Sequence, residues 1–278
     1  MAKHMIGCAL WSLAMPDTVQ SIRKVAELGF EAVQLTFLPP SDLEPPGLKR
    51  IAAALKETGL KVPGGMVGFP GEDWASIASI RKTGGLIDAA TFPERLEICK
   101  RFAAGHAQLG IRHITTHVGF VPEPGSPNYA AVVDRIGQAA EAFRAAGLTM
   151  GMETGQERAE VLLSVIKDLG GDDVSINFDP ANFVLYASDD PVRAARLLGS
   201  RTSMAHMKDA IASDKPGEVW GVEPALTKGE VNLKAVLKAL EAGGFKGPLI
   251  VEREGGEDRP GDLAAARRWL LDLMAGEA

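Results

Sequence analysis

The sequence predicts an α/β fold, a (β/α)8 TIM barrel formed by a single domain over residues 1–278. Strand-like apolar runs alternate with helix-like segments along the whole chain, a pattern typical of βα units and a parallel sheet. We count eight of each, which is the number that closes a barrel of this kind. No Gly-x-Gly-x-x-Gly motif follows an early strand, and this disfavours an open, doubly wound sheet.

The order of elements follows from the apolar periodicity and from the glycines that end the helices. The strands are predicted over residues 5–10, 31–36, 60–67, 112–117, 148–153, 174–179, 202–208 and 248–252. The helices are predicted over residues 17–28, 47–58, 94–109, 130–146, 157–169, 190–199, 232–243 and 259–274. Five of them stop at a glycine suited to a helix C-terminus: Gly29, Gly59, Gly110, Gly147 and Gly243.

Two predicted loops are longer than ordinary connections and are therefore suspected of function. Residues 68–93 follow the third strand, and residues 209–231 follow the seventh. Both loops leave the C-terminal ends of their strands, so we expect them to cover whatever site lies at that face.

Composition excludes several classes of protein. The net charge of −6, without a local Lys/Arg cluster, argues against nucleic acid as a partner, because a duplex-DNA binder needs a basic face. Two cysteines, Cys8 and Cys99, cannot form a disulfide framework or a Cys-rich zinc site, and they fit a reducing compartment. No run approaches the roughly 18 apolar residues of a membrane span. We therefore expect a cytoplasmic protein without a membrane partner, and we interpret the apolar N-terminal stretch as a strand rather than a signal peptide.

The strongest functional pattern is a metal ligand at the C-terminal end of each of the last four strands: Glu153, Asp179, His206 and Glu252. A barrel of this type places its chemistry at that end of its strands. Three carboxylates and one imidazole suit a single divalent metal ion, Mn²⁺ above Mg²⁺, Co²⁺ or Zn²⁺. Alone, either of the first two carboxylates could cap the next helix, and the histidine could be a core residue. Their convergence favours ligands.

Six further residues are candidate substrate-binding groups: His117, Glu157, Asn182, Lys208, Trp11 and Trp220. Lys208 shares a strand face with His206, so its ammonium group could polarise a carbonyl or instead pair with a site carboxylate. His117 ends the fourth strand, whereas Glu157 and Asn182 follow ligand strands and could hold hydroxyl groups or cap helices. The two tryptophans could stack on a substrate ring or only pack.

With these residues in place, the whole chain resembles the xylose isomerase-like superfamily of barrels, the sugar phosphate isomerase/epimerase group. The resemblance rests on the four strand-end ligands, the Asp-Pro-x-Asn turn at 179–182, and the His-Met-Lys-Asp segment at 206–209 before a long loop. It implies a role in carbohydrate metabolism as a metal-dependent epimerase of a sugar, sugar phosphate or keto-sugar. Such an enzyme removes a proton next to a carbonyl and passes through an enediolate.

In the ketose 3-epimerase branch, the glutamates that match Glu153 and Glu252 are both metal ligands and the catalytic acid/base pair. The residues that match Asp179 and His206 are ligands only. The chain departs from that branch at Asn182, where a histidine is usual, and over residues 209–213, which lack an arginine found there. We therefore expect its substrate recognition to differ.

The same site leaves several activities open. An aldose–ketose isomerase and a sugar lyase or dehydratase would need the same ligands, and a non-catalytic sugar-binding barrel is the alternative from a different class. The superfamily's barrel endonucleases hold three zinc ions with many more histidines than the five here, so that activity is disfavoured. The sequence leaves open whether the chain forms a homo-oligomer.

Overall fold

The computed structural model describes residues 2–170 and 173–277. Its strands are β1 (Ile6–Ala9), β2 (Ala32–Gln34), β3 (Gly65–Val67), β4 (His113–Thr116), β5 (Thr149–Glu153), β6 (Val174–Phe178), β7 (Thr202–Met207) and β8 (Leu249–Val251). Its helices are α1 (Thr18–Glu27), α2 (Pro45–Thr58), α3 (Ile77–Thr83), α4 (Phe92–Gln108), α5 (Tyr129–Ala145), α6 (Ala159–Leu169), α7 (Pro180–Tyr186), α8 (Pro191–Leu198), α9 (Leu233–Ala242) and α10 (Arg259–Ala275).

All eight strands are parallel and form one sheet in the order β2-β1-β8-β7-β6-β5-β4-β3. Isolated parallel bridges between Ala32 and Lys61 and between Leu35 and Gly65 join the two edges of this sheet. The barrel is therefore nearly closed, and the predicted (β/α)8 fold class is confirmed. That residues 1–278 form a single domain stays a prediction.

The structure adds α-helices at two places, and its strands are shorter than predicted, the third most of all. The predicted strand 60–67 is regular only over Gly65–Val67, because its earlier residues make single bridges rather than a ladder. Helix α3 lies inside the predicted loop 68–93 and begins at a capping box formed by Ser76 and Ser79. Helix α7 follows β6 directly, where Asp179 caps it. Both helices span 7 residues, too few for the apolar periodicity to reveal them.

Strand alternation places the chemistry inside the barrel. On β7, Ala205 and Met207 pack in the main core with the outer helices, whereas Met204 belongs to a small buried cluster with Ala9 and Ile250. His206 shares the face of Met204, so it points into the barrel above that cluster. Within the described part of the chain, no helix is both long enough and apolar enough to cross a membrane.

Candidate metal centre

The four predicted ligands meet at the C-terminal mouth of the barrel. Glu153 is the last residue of β5, Asp179 and Glu252 directly follow β6 and β8, and His206 lies within β7. One ligand atom from each lies within 4.8 Å of the others, and all four side chains are buried. Parallel strands align their C-terminal ends, so strand-end positions far apart in the chain become neighbours here.

The His206 ring nitrogen Nδ1 lies at the centre of this cluster. It is 2.8 Å from Oε2 of Glu252, 3.3 Å from Oε1 of Glu153 and 3.9 Å from Oδ2 of Asp179. The three carboxylates and this imidazole nitrogen therefore lie close enough together to act as donors to a single cation.

Three buried atoms of this cluster have no hydrogen-bond partner: Oδ2 of Asp179, Nδ1 of His206 and Oε2 of Glu252. A buried polar atom without a partner is costly, and native structures contain few of them. The other Asp179 oxygen, Oδ1, accepts bonds from the amides of Ala181 (2.8 Å) and Asn182 (3.2 Å). Asp179 thus caps α7 with one oxygen and leaves the other for a ligand. The donor set fits a divalent metal ion.

The electrostatics of the cluster favour a positive charge at its centre. Burial lowers the pKa of His206, but the carboxylates of Glu252 and Glu153 outweigh it and hold that pKa well above the usual value. Burial raises the pKa of Glu153, yet the charges of His117 and His206 lower it to about 2. The Glu153 carboxylate is therefore ionised and carries a negative charge that can bind a cation.

Hydrogen bonds hold the two glutamates in fixed orientations. The indole Nε1 of Trp11 donates to Oε1 of Glu252 at 2.7 Å. The Asn182 amide donates to Oε1 of Glu153 at 3.3 Å, and the Asn177 amide donates to Oε2 of the same carboxylate at 3.2 Å. Such neighbours orient ligands before a metal binds.

Lys208 pairs with site carboxylates, as one of its two alternatives predicted, and its action on a substrate stays a prediction. Its Nζ lies 2.8 Å from Glu254, 3.5 Å from Glu252, 3.6 Å from Asp179 and 4.0 Å from Glu223. Burial lowers the pKa of Lys208, but these carboxylates raise it well above the usual value, so the side chain is an ammonium ion. It pairs with site carboxylates and also lines the cavity above them.

A cavity of about 270 Å³ opens above the cluster. Four of the predicted substrate-binding residues line it: Trp11, His117, Asn182 and Lys208. Glu157 instead lines a separate cavity of about 430 Å³. The Trp220 ring packs against Tyr186 at 5.0 Å, and its Nε1 donates to the backbone oxygen of Trp74 at 3.1 Å. Neither Glu157 nor Trp220 is among the residues that border the smaller cavity in the described structure.

Two functional candidates were missed from the sequence. Trp74, in the loop after β3, lines the cavity with 44 % of its surface exposed, and its ring lies 5.4 Å from that of His117. Gln34, the last residue of β2, contacts His206 at 2.7 Å. Two signals were available in the sequence. Trp74 is an aromatic residue in a long loop at the active face, and Gln34 is a polar residue that ends a strand.

The chain belongs to the family of xylose isomerase-like TIM barrels, whose model matches residues 22–273. A solved xylose isomerase domain protein from Planctomyces limnophilus is 31 % identical, with a TM-score of 0.85 over 92 % of this chain and 91 % of that one.

Two further similarities concern proteins with more specific descriptions. An L-ribulose 3-epimerase from Mesorhizobium japonicum is 24 % identical over 267 residues, which cover 91 % of this chain and 81 % of that protein. A xylose isomerase-like TIM barrel protein from Mycobacterium smegmatis, solved in complex with magnesium, is 17 % identical, with a TM-score of 0.74 over 99 % of this chain and 98 % of that one. At 17 % identity, the similarity to the Mycobacterium smegmatis protein shows only that the two chains share a fold.

Proposed function

We propose that this chain is a metal-dependent sugar epimerase that inverts a carbon next to a carbonyl group. The observation that carries the proposal is the buried cluster of Glu153, Asp179, His206 and Glu252, in which three ligand atoms lack a hydrogen-bond partner. The similarity to an L-ribulose 3-epimerase over 91 % of the chain supports a sugar as the substrate.

We propose Mn²⁺ as the resident ion, because three carboxylates and one imidazole form a mainly hard donor set. The magnesium bound by the Mycobacterium smegmatis protein supports a divalent ion in a barrel of this type. When bound, such an ion would supply Lewis-acid chemistry, lowering the energy of the negative charge that develops on the substrate oxygens as the neighbouring proton is lost.

We assign Glu153 and Glu252 as the catalytic acid/base pair. The two carboxylates approach His206 Nδ1 from β5 and from the end of β8, which are not adjacent strands of the barrel. Trp11 holds one oxygen of Glu252, while the other has no hydrogen-bond partner. Carboxylates on two sides of a substrate carbon can remove its proton from one face and return one to the other.

The residues that line the cavity are proposed to hold the sugar. The Lys208 ammonium group and the Asn182 amide present donors for carbonyl and hydroxyl oxygens. The rings of Trp11 and Trp74 present apolar surfaces for sugar C–H groups. Contributions of His117 and Glu157 stay predictions, and Trp220 would act indirectly, through its bond to the Trp74 backbone.

The test is proton NMR in D₂O with purified full-length protein, added Mn²⁺ and a panel of ketoses, keto-glycosides and sugar phosphates. An epimerase introduces solvent deuterium at the inverted carbon and forms the epimer. Transfer of the hydrogen to the adjacent carbon would instead identify an isomerase, and loss of a β-substituent would identify a lyase or dehydratase. Tight sugar binding without any exchange would identify a binding protein.

The remaining predictions from the sequence are part of this proposal. We propose that residues 1–278 act as one domain in the cytoplasm and that neither nucleic acid nor a membrane is a partner. A homo-oligomer stays open, and size-exclusion chromatography with light scattering would determine the assembly.

A further inference from the structure

Gln34 connects His206 to a strand on the far side of the barrel. It ends β2 and is completely buried. Its Oε1 lies 2.7 Å from Nε2 of His206, and its Nε2 donates to the Thr115 hydroxyl on β4 at 2.8 Å. The side chain thus joins β2, β4 and β7 directly behind the candidate metal centre.

The contacts of the Thr115 hydroxyl determine the direction of the two hydrogen bonds that Gln34 makes. The Thr115 hydroxyl lies 3.1 Å from the backbone oxygen of Gly65 and 3.0 Å from the sulfur of Met66, and both atoms can only accept. The hydroxyl proton therefore points toward them, and Thr115 accepts from the Gln34 amide group. The Gln34 carbonyl oxygen then faces His206, so the ring nitrogen opposite it must donate.

A second amide near the ring does not change this assignment. Nδ2 of Asn177 lies 3.1 Å from Nε2 of His206, but an amide nitrogen is a donor and cannot accept the ring proton. The same Nδ2 donates to Oε2 of Glu153 at 3.2 Å. Gln34 therefore supplies the acceptor for the proton on His206 Nε2.

We propose that Gln34 is a positioning residue that fixes the tautomer and ring orientation of His206, so that Nδ1 faces the three carboxylates. A histidine ligand whose second nitrogen donates to a fixed acceptor presents its lone pair in one direction, and loss of such an acceptor typically lowers metal affinity about 10- to 100-fold. This inference rests on the metal centre of the proposed function and does not depend on which sugar is turned over.

The test measures Mn²⁺ affinity of the full chain by calorimetry without any sugar, for wild type, Gln34→Leu and Gln34→Glu. We expect Gln34→Leu to bind Mn²⁺ about 10- to 100-fold more weakly. Gln34→Glu keeps an oxygen acceptor at this position, so we expect it to bind at least as tightly as wild type. Thr116→Val is the matched control: this neighbouring buried hydroxyl bonds only backbone oxygens, those of Val67 and His117, and we expect no change.

A second measurement keeps the inference testable if Gln34→Leu does not fold. Long-range ¹H–¹⁵N spectra of Mg²⁺-loaded wild type should show a proton on Nε2 of His206 and none on Nδ1. Wild-type affinity in Gln34→Leu, an equal loss in Thr116→Val, or a proton on Nδ1 would overturn the inference. Absence of Mn²⁺ binding by wild type would also overturn it. Normal Mn²⁺ binding without epimerisation would refute only the proposed function.

Discussion

The ammonium group of Lys208 lies 3.5 Å from Oε2 of Glu252, the carboxylate oxygen that we assign to both metal binding and proton transfer. That oxygen has no hydrogen-bond partner, although it is buried. The lysine also reaches the cavity where the substrate would bind.

We expect Lys208→Met to lower kcat/KM while metal content stays near normal, because the lysine contacts ligand carboxylates without being a ligand itself. The measurements are steady-state kinetics and elemental analysis of the same preparation. Loss of the metal, or unchanged kinetics, would assign Lys208 a structural role.

Protein purified without chelator should contain close to one divalent ion per chain, and Asp179→Ala should remove it together with activity. Asp179 both caps α7 and offers a free oxygen to the centre, so the loss of a cap must be separated from the loss of a ligand. Asp190→Ala is the matched control, because Asp190 caps α8 through the Arg193 amide and is not part of the cluster.

Each alanine variant should lose roughly 1 kcal/mol of unfolding free energy through its missing cap. Only Asp179→Ala should also lose the metal and the rise in melting temperature that added Mn²⁺ produces. If elemental analysis finds no metal in wild type and Mn²⁺ leaves its melting temperature unchanged, the metal centre is refuted.

Replacing Glu252 by Gln should lower turnover by the 10²- to 10⁴-fold typical of losing a general base. Glu153→Gln should behave similarly. An amide is a poorer ligand, so the comparison holds only for variants shown by analysis to be metal-loaded.

Glu254→Gln serves as the control, since Glu254 also contacts Lys208 and lines the cavity but is outside the ligand cluster. We expect this variant to keep its metal and to lose less turnover than metal-loaded Glu252→Gln, because Glu254 is not one of the two assigned bases. A metal-loaded Glu252→Gln protein that epimerises at the wild-type rate would rule out the two-base assignment.

Trp74→Ala should raise KM by about tenfold with little change in kcat, because the exposed ring lines the cavity but is not one of the candidate ligands. Trp74→Phe retains an aromatic face and should recover much of the affinity. Steady-state kinetics on both variants would check this. Equal KM values for wild type and Trp74→Ala would show that the ring does not contact the substrate.

Glu157→Gln should make the protein more stable at pH 8 and leave stability near pH 4.5 almost unchanged. Burial raises the pKa of Glu157 to about 8 from an ordinary value of 4.5, so the folded protein keeps a proton that the unfolded chain releases. The proton bound to Glu157 contributes to the unfolding free energy of the wild-type protein. This contribution is fully present below pH 4.5 and is lost as the pH rises through 8.

A glutamine side chain keeps an oxygen that can accept the hydrogen bond from the Val121 amide, whose nitrogen lies 2.8 Å from Oε1 of Glu157. Unlike glutamate, glutamine does not titrate. Urea unfolding at several pH values should therefore show that the unfolding free energy of Glu157→Gln exceeds that of wild type by an amount that grows with pH, to the order of a few kcal/mol. A difference that is independent of pH would show that Glu157 is ionised in the folded protein.

The sequence by itself determined the barrel and the identity of the four candidate metal ligands. Apolar alternation is a local property, and each of Glu153, Asp179 and Glu252 stands where such a run ends. Once the strands are parallel, their C-terminal ends must meet at one mouth, so no knowledge of side-chain contacts was needed to bring these residues together with His206.

Only the tertiary structure decided what surrounds those ligands. Gln34 meets His206 across 172 positions of sequence, and Trp74 rather than Trp220 reaches the cavity because the path of two long loops places it there. Likewise, Asp179 is both cap and candidate ligand, since one oxygen accepts a helix amide and the other has no hydrogen-bond partner. Such relationships depend on rotamers, loop paths and contacts across the barrel interior, which a local sequence pattern does not encode.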